Sequence, residues 1–119
     1  MPFQSRYLFS AAMDVEPGKE ALFNEVYDKE HVPVLLRVPG VISVARFKAQ
    51  KDVTLVVGGQ RRTLTVEGEP AYAALYEIQD PEVLTSDAWA SAVDQGRWPG
   101  QVRPFTRNRR HVLYQRLIS

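Results

Sequence analysis

The fold is decided by residues 22–48, which read LFNEVYDKEHVPVLLRVPGVISVARFK. The first apolar side chains recur at i, i+1, i+4 and i+5, the spacing of one stripe on an α-helix: Leu22, Phe23, Val26 and Tyr27. Pro33 disrupts this helix near its end, because proline has no N–H and clashes with the preceding turn. Pro39-Gly40 marks a turn, and the apolar run 41–48 predicts a strand. The stretch therefore predicts a helix, with Pro17 in its first turn, followed by a strand.

The remaining chain places more strands on both sides of this unit and adds a second helix. Predicted strands cover 6–13, 41–48, 71–79 and 111–118, and a glycine hairpin joins shorter strands at 53–57 and 61–66. The second helix begins at Asp80-Pro81, a capping residue followed by proline, and ends at Gln95-Gly96. This order predicts an α+β, ferredoxin-like βαββαβ fold with an inserted β-hairpin and two helices on one face of an antiparallel sheet.

Both faces of the predicted sheet carry apolar side chains. One parity holds Leu8, Ala12, Leu75 and Leu113, and the other holds Tyr7, Phe9, Tyr76 and Tyr114. Two helices cover only one face, and soluble monomers rarely leave a large apolar patch exposed. The pattern therefore predicts a homodimer in which two sheets pack against each other.

Length and composition limit the classes of protein. The 119 residues correspond to one domain, 1–119, and the absence of Cys excludes disulfides, thiolate catalysis and Cys-based metal clusters. No run approaches the about 20 apolar residues of a membrane-spanning helix. Residues 1–6 lack the order of a secretory signal. We therefore expect a cytoplasmic protein that does not bind membranes.

The charge is balanced overall but unevenly distributed. All 14 acidic residues precede residue 95, whereas residues 95–119 carry only basic charges: Arg97, Arg103, Arg107, Arg109, Arg110 and Arg116. Such a run either attracts an anionic ligand or forms ion pairs with the acidic N-terminal part. Nucleic-acid binding is not expected, because the chain lacks the aromatic strand motif with which RNA-recognition modules stack bases.

The chain resembles the dimeric α+β barrel superfamily, and within it the EthD-like branch. The resemblance lies in four segments: Phe23 to Pro33 with its aromatic-x-x-x-His-x-Pro element, Val38 to Val41, Ala45 to Phe47, and Tyr72 to Ile78. It implies a homodimer with a cleft between sheet and helices in each subunit. Relatives include cofactor-independent monooxygenases, lactone isomerases, polyketide cyclases, heme-degrading enzymes and stress-responsive proteins. The resemblance thus implies either an enzyme without cofactor that acts on a small aromatic or carbonyl metabolite, or a non-catalytic ligand-binding dimer.

His31 and Tyr27 are the candidate catalytic residues. They lie four residues apart, so on a continuing helix both point toward the sheet. Histidine exchanges protons near neutral pH, which suits a general acid or base, and the phenol would orient it or hold a substrate oxygen. The alternative is that His31 caps the helix and bonds a carbonyl group. A metal site with His111 is not expected, because no ligand-spacing motif is present.

The loop 97–108 and three aromatic side chains are the candidate substrate-binding region. Aromatic rings beside guanidinium groups form a seat for a planar anion, and the residues we assign to substrate binding are Tyr76, Trp89, Trp98, Arg103 and Arg107. The alternative is a loop pinned to the core by Trp98, with its arginines paired to acidic residues such as Asp94. The role of the hairpin in residues 50–69, whether lid, dimer arm or decoration, stays open.

Overall fold

The structure, a computed structural model, describes residues 3–118. Six strands occur, in chain order: β1 Tyr7–Val15, β2 Val41–Lys48, β3 Thr54–Val57, β4 Gln60–Thr63, β5 Tyr72–Ile78 and β6 Thr106–Gln115. Four of them form an antiparallel sheet in the order β2-β5-β1-β6, and β3 and β4 form a separate hairpin. The predicted ferredoxin-like α+β fold with an inserted hairpin is therefore confirmed.

The first helical segment changes its winding before the proline. A 3₁₀ turn at Pro17–Lys19 leads into α1, Glu20–Val26, which continues as a π-helical turn at Tyr27–His31 and then as α2, Val32–Leu35. The N–H of Val32 donates to the carbonyl of Tyr27, five residues back. The predicted disruption is thus present, and the wider turn lets the helix pass Pro33 without ending.

The second helical segment was predicted as one helix from Asp80 to Gly96, but the structure has two short helices there. Asp80 accepts a hydrogen bond from the Glu82 N–H at 2.8 Å and starts a 3₁₀ turn, Pro81–Thr85. The backbone of Ser86 is extended, and its Oγ caps a new helix, α3 Asp87–Ala92, by accepting from the Trp89 N–H at 3.1 Å. A second capping residue therefore divides the expected helix into two short ones. No helix within residues 3–118 is long and apolar enough to cross a membrane.

The sheet has one face under the helices and one face without them, which we call the open face. The register places Tyr114 opposite Leu8 and Leu113 opposite Phe9. The parity grouping from the sequence is therefore wrong for β6, because facing partners, not residue numbers, determine which side chains share a face. Apolar residues on the open face are Leu8, Ala12, Ala45, Phe47, Ala73, Leu75, Val112 and Tyr114.

Candidate functional site

A cavity of about 410 Å³ lies between the covered face of the sheet and the helical layer. This volume is in the range of small-molecule sites. Its lining is rich in aromatic rings: Phe9, Tyr27, Tyr76, Trp89 and Trp98. His31, Arg103, Arg109 and His111 add polar groups. The structure thus brings together, at one cavity, every residue we assigned to catalysis or substrate binding except Arg107.

His31 lies in the π-helical turn and is 6% exposed. Its ring stacks on Trp98, with centroids 4.2 Å apart and planes 17° apart, and meets Tyr27 edge-on at 5.0 Å. The buried Nδ1 has no hydrogen-bond partner among the described residues. This nitrogen therefore does not bond a backbone carbonyl, as the capping alternative supposes, and proton exchange there breaks no protein hydrogen bond.

The environment of His31 disfavours its charged form. Burial, and to a smaller extent the positive charge of Arg103, together lower the pKa of His31 to about 4. At neutral pH the imidazole is therefore uncharged and has a free lone pair.

Tyr27 and Tyr76 form a buried pair of phenols, with their Oη atoms 3.2 Å apart. Burial raises the pKa of both hydroxyls, so both stay protonated at neutral pH. One hydroxyl donates its hydrogen to the other, so the hydrogen of the accepting hydroxyl is not used in this bond. The partner of the Tyr27 hydroxyl is thus Tyr76, and Tyr27 contacts His31 through its ring.

Glu30 and Arg97 hold Trp98 against His31, a role that sequence reasoning missed. The Glu30 carboxylate accepts from the backbone N–H of Arg97 at 3.0 Å and from its Nε at 2.5 Å. These bonds join the π-helical turn of His31 to a second one at Trp98–Val102. Gly96 has a φ of 68°, and a Cβ there would lie 2.6 Å from the Glu30 carboxylate. In the sequence, the only indications of this contact were that an acidic residue, Glu30, precedes His31 and that a basic one, Arg97, precedes Trp98.

A β-bulge decides which arginine of β6 lines the cavity. The register with β1 shifts by one residue between Ala12 and Asp14, where Asn108 adopts a φ of 53°. The extra residue reverses the alternation of side chains. Arg109 therefore lines the cavity and Arg107 does not. Sequence alternation alone does not contain the bulge, although Asn tolerates positive φ better than most residues.

Several arginines of the basic segment form ion pairs, as one of our two interpretations expects. Arg97 pairs with Glu25 and Glu30, Arg103 with Asp94, and Arg110 with Glu69. Arg103 also donates to the Val93 carbonyl at 2.6 Å, so it ties its loop to the end of α3. Arg103 thus both forms an ion pair and lines the cavity.

His111 lines the cavity from β6 and stacks on Phe9, with ring centroids 5.8 Å apart and planes 11° apart. Within residues 3–118, no group of three or more His, Cys, Asp or Glu side chains is placed to hold a metal ion.

Several solved structures have a fold similar to that of this chain. A candidate antibiotic biosynthesis monooxygenase from Bordetella bronchiseptica has a similar structure, with a TM-score of 0.65 and 18% identity over 94% of this chain and 97% of that chain. SnoaB, a cofactor-independent oxygenase from Streptomyces nogalater, is also similar, with a TM-score of 0.59 and 14% identity over 95% of this chain and 94% of that chain. An EthD family protein from Bacillus halodurans has a TM-score of 0.57 and 11% identity over 93% of this chain and 99% of that chain.

At these identities the similarity concerns the fold. The chain shares its ferredoxin-like α+β fold with these proteins. No protein-family model matches the sequence, and no curated protein matches it significantly. Function therefore has to be argued from the site.

Proposed function

We propose that this protein is a cofactor-independent enzyme that removes an activated C–H proton from a small aromatic or carbonyl compound, with His31 as general base. The observation that carries the proposal is the uncharged, buried imidazole of His31, whose Nδ1 has no hydrogen-bond partner within residues 3–118, in the lining of an aromatic cavity. The similarity in fold to a cofactor-independent oxygenase and to a candidate monooxygenase supports this class of reaction.

The proposed step transfers one proton and leaves a carbanion. A ring nitrogen of His31 accepts the proton from a carbon next to a carbonyl group, and the electron pair of the broken C–H bond moves into the carbonyl to form an enolate. The spare O–H of the Tyr27–Tyr76 pair donates a hydrogen bond to the developing oxyanion. The products of this step are the imidazolium and the enolate, and later chemistry starts from them.

The low pKa of His31 is compatible with this role. It describes the free protein, in which protonation would place an isolated positive charge in a buried site near Arg103. During the reaction an enolate forms beside the imidazolium, and an opposite charge at short distance favours the protonated form of histidine. The site therefore keeps His31 ready to accept a proton in the free protein and stabilises the ion pair in the reaction.

The test uses 2-tetralone, an aromatic ketone whose C1 protons lie between the ring and the carbonyl group. In D2O the wild-type protein should accelerate the exchange of these protons for deuterium, followed by proton NMR. His31→Gln should lose about a hundredfold or more of the acceleration, the usual contribution of a general base. This experiment needs no oxidant and does not depend on the later steps.

A matched control is Arg107→Gln, which lies outside the cavity and should keep the wild-type exchange rate. Saturable binding of 2-tetralone without accelerated exchange would support the non-catalytic, ligand-binding alternative. Equal exchange rates for wild-type and His31→Gln would refute the assignment of His31 as base.

We also propose that the functional unit is a homodimer formed by the open faces of two subunits. Phe47 and Tyr114 on this face are each 54% exposed, and Val112 is 40% exposed. Burying aromatic and aliphatic side chains is the main favourable contribution to association. A pair of open faces would thus form the closed barrel that the resemblance implies.

A further inference from the structure

The charged groups at the cavity indicate the kind of ligand that it selects. We propose that the cavity binds a planar aromatic anion, with the negative group held by the guanidinium groups of Arg103 and Arg109 and the ring held by the aromatic lining. This inference rests on the proposed function only in taking the cavity as the ligand site, and it names a substrate class for it.

The two guanidinium groups are the only formally charged side chains that line the cavity within residues 3–118. No Asp or Glu side chain of this part of the chain is in the lining, and the other titratable groups there are two histidines and two phenols, His31, His111, Tyr27 and Tyr76. The Asp94 partner of Arg103 is itself 60% exposed, outside the lining. Asp94 therefore balances the charge of Arg103 from outside the cavity, and the charge of Arg109, which forms no ion pair within residues 3–118, is left for a bound anion to balance.

Hydrogen bonds fix the two arginines while leaving donors free. Arg109 donates from Nε to the Oγ1 of Thr106 at 3.1 Å and from one terminal nitrogen to the carbonyl of Arg103 at 3.3 Å. Thr106 in turn donates to the same Arg103 carbonyl at 2.7 Å. A guanidinium group has five N–H donors, so both arginines keep donors for a carboxylate or phenolate. The Arg109 guanidinium is thus anchored to residues 103–106, and that of Arg103 to Val93 and Asp94, before either meets a ligand.

The lining of the cavity offers aromatic rings to the ring part of the ligand. Phe9 stacks with His111 and meets Trp89 edge-on, with ring centroids 5.9 Å apart and planes 81° apart. Trp89 also packs edge-on against Tyr76. Aromatic surfaces of this kind favour a planar ring over a flexible aliphatic chain.

An anion at this position would also act on His31. Arg103 is the charged group that lowers the pKa of His31, beside the larger effect of burial. The groups packed around the imidazole are Tyr27 and Trp98, neither of which is charged at neutral pH. A negative ligand group on Arg103 would therefore offset this repulsion and make His31 a stronger base when the site is occupied.

The test compares two probes of the same shape, 2-naphthoate and the uncharged 2-naphthamide, by isothermal titration calorimetry at pH 7.5. Wild-type protein should bind the naphthoate at least about tenfold more tightly, because charge-assisted hydrogen bonds are stronger than neutral ones. Raising NaCl from 50 to 500 mM should weaken the naphthoate several-fold and leave the naphthamide nearly unchanged.

The arginine variants identify the position of the anion. Arg109→Gln should weaken naphthoate about tenfold or more and naphthamide less than twofold, whereas Arg107→Gln, two residues away and outside the cavity, should change neither. Equal affinity for both probes, equal effects of the two variants, or no naphthoate binding up to millimolar concentration would each overturn the inference. Accelerated 2-tetralone exchange together with equal probe affinities would overturn anion selection while leaving the proposed proton transfer intact. If Arg109→Gln does not fold, the salt dependence of naphthoate and naphthamide binding to the wild-type protein still tests whether the cavity selects an anion.

Discussion

The two faces of the four-stranded sheet have similar apolar content and opposite surroundings. On the covered face Tyr76 is 1% exposed and packs under the helical layer, whereas on the open face Phe47 and Tyr114 remain half exposed. The molecule measures only 20 Å along its shortest axis, the depth of one sheet and one layer of helices. The helices of the chain thus bury one face of the sheet and leave the apolar side chains of the other face exposed.

This difference separates the two tasks of the protein. The polar groups of the proposed chemistry, His31 and the Tyr27–Tyr76 pair, are on the covered side, next to the cavity. The open face is mostly apolar around Leu75, at the centre of the sheet. We infer that chemistry belongs to the covered face and association to the open face. Substitutions on the two faces should therefore change different measurements.

The largest effect is expected from a charge at the centre of the open face. Leu75→Arg would place two arginines in the proposed dimer interface, one from each subunit, without partners. An unpaired buried charge costs about 3 kcal/mol or more, so the dimer dissociation constant should rise more than a hundredfold. Sedimentation velocity over a concentration series measures this change, with circular dichroism to check folding.

The control for this substitution is Leu36→Arg, a leucine that follows α2 and is 44% exposed. It adds the same charge on the helical side and should leave the association unchanged. A wild-type protein that is monomeric at micromolar concentration, or equal effects of the two substitutions, would contradict the assignment of the open face.

The next effect concerns the covered face at acidic pH. His31 has a pKa of about 4 in the folded protein and about 6.5 when unfolded. The unfolded chain therefore binds the extra proton first as pH falls, and folding loses stability from pH 6.5 down to pH 4, by about 3 kcal/mol in total. Above pH 6.5 the histidine is neutral in both states and this contribution to pH dependence vanishes.

Urea unfolding at pH 7 and pH 4.5, at one protein concentration, tests this expectation. His31→Gln should reduce the loss of stability between the two pH values, since the titrating group is gone. If His31→Gln retains the full wild-type pH dependence, the environment assigned to His31 is wrong.

A smaller effect is expected at the phenol pair. Tyr27→Phe or Tyr76→Phe removes one hydroxyl and leaves the other without that partner in a buried site. Each single substitution should lower the free energy of unfolding by about 1–2 kcal/mol, and the double substitution by less than the sum. Chemical denaturation of all four proteins gives the coupling energy. Strict additivity would indicate that the hydroxyls do not interact.

Much of the fold was predictable because local signals agree with it. The apolar stripe of residues 22–27, the turn at Pro39-Gly40 and the capping residue Asp80 each have a local cause that the structure retains. The errors arose where the chain offers two signals or a long-range one. Ser86 is a second capping residue inside a periodic apolar segment, and the bulge at Asn108 depends on pairing with a strand far away in the sequence.

The candidate site was predictable in composition but not in connectivity. The spacing of Tyr27 and His31 was sufficient to place both on the sheet side of the helix. That His31 stacks on Trp98, and that Glu30 and Arg97 hold this contact, depends on the meeting of two π-helical turns far apart in the chain. No periodicity within either segment encodes that meeting.

The smallest effect on the isolated subunit is expected from removing the hairpin of β3 and β4. All its strand residues are exposed, including Leu55, Val56 and Val57, so it buries little of its own surface. The ends of the neighbouring strands already meet, since the Ala49 N–H donates to the Ala71 carbonyl at 2.8 Å. Replacing residues 54–63 by Asn-Gly keeps the Leu64 N–H to Val53 carbonyl bond as the closing pair of a two-residue turn and leaves Gly68 and Glu69 in contact with β6, so it should change subunit stability by less than about 1 kcal/mol. A much larger loss of stability, or a loss of the dimer in sedimentation, would show that the hairpin's apolar side chains belong to the association surface, and the division between the two faces would then extend beyond the sheet.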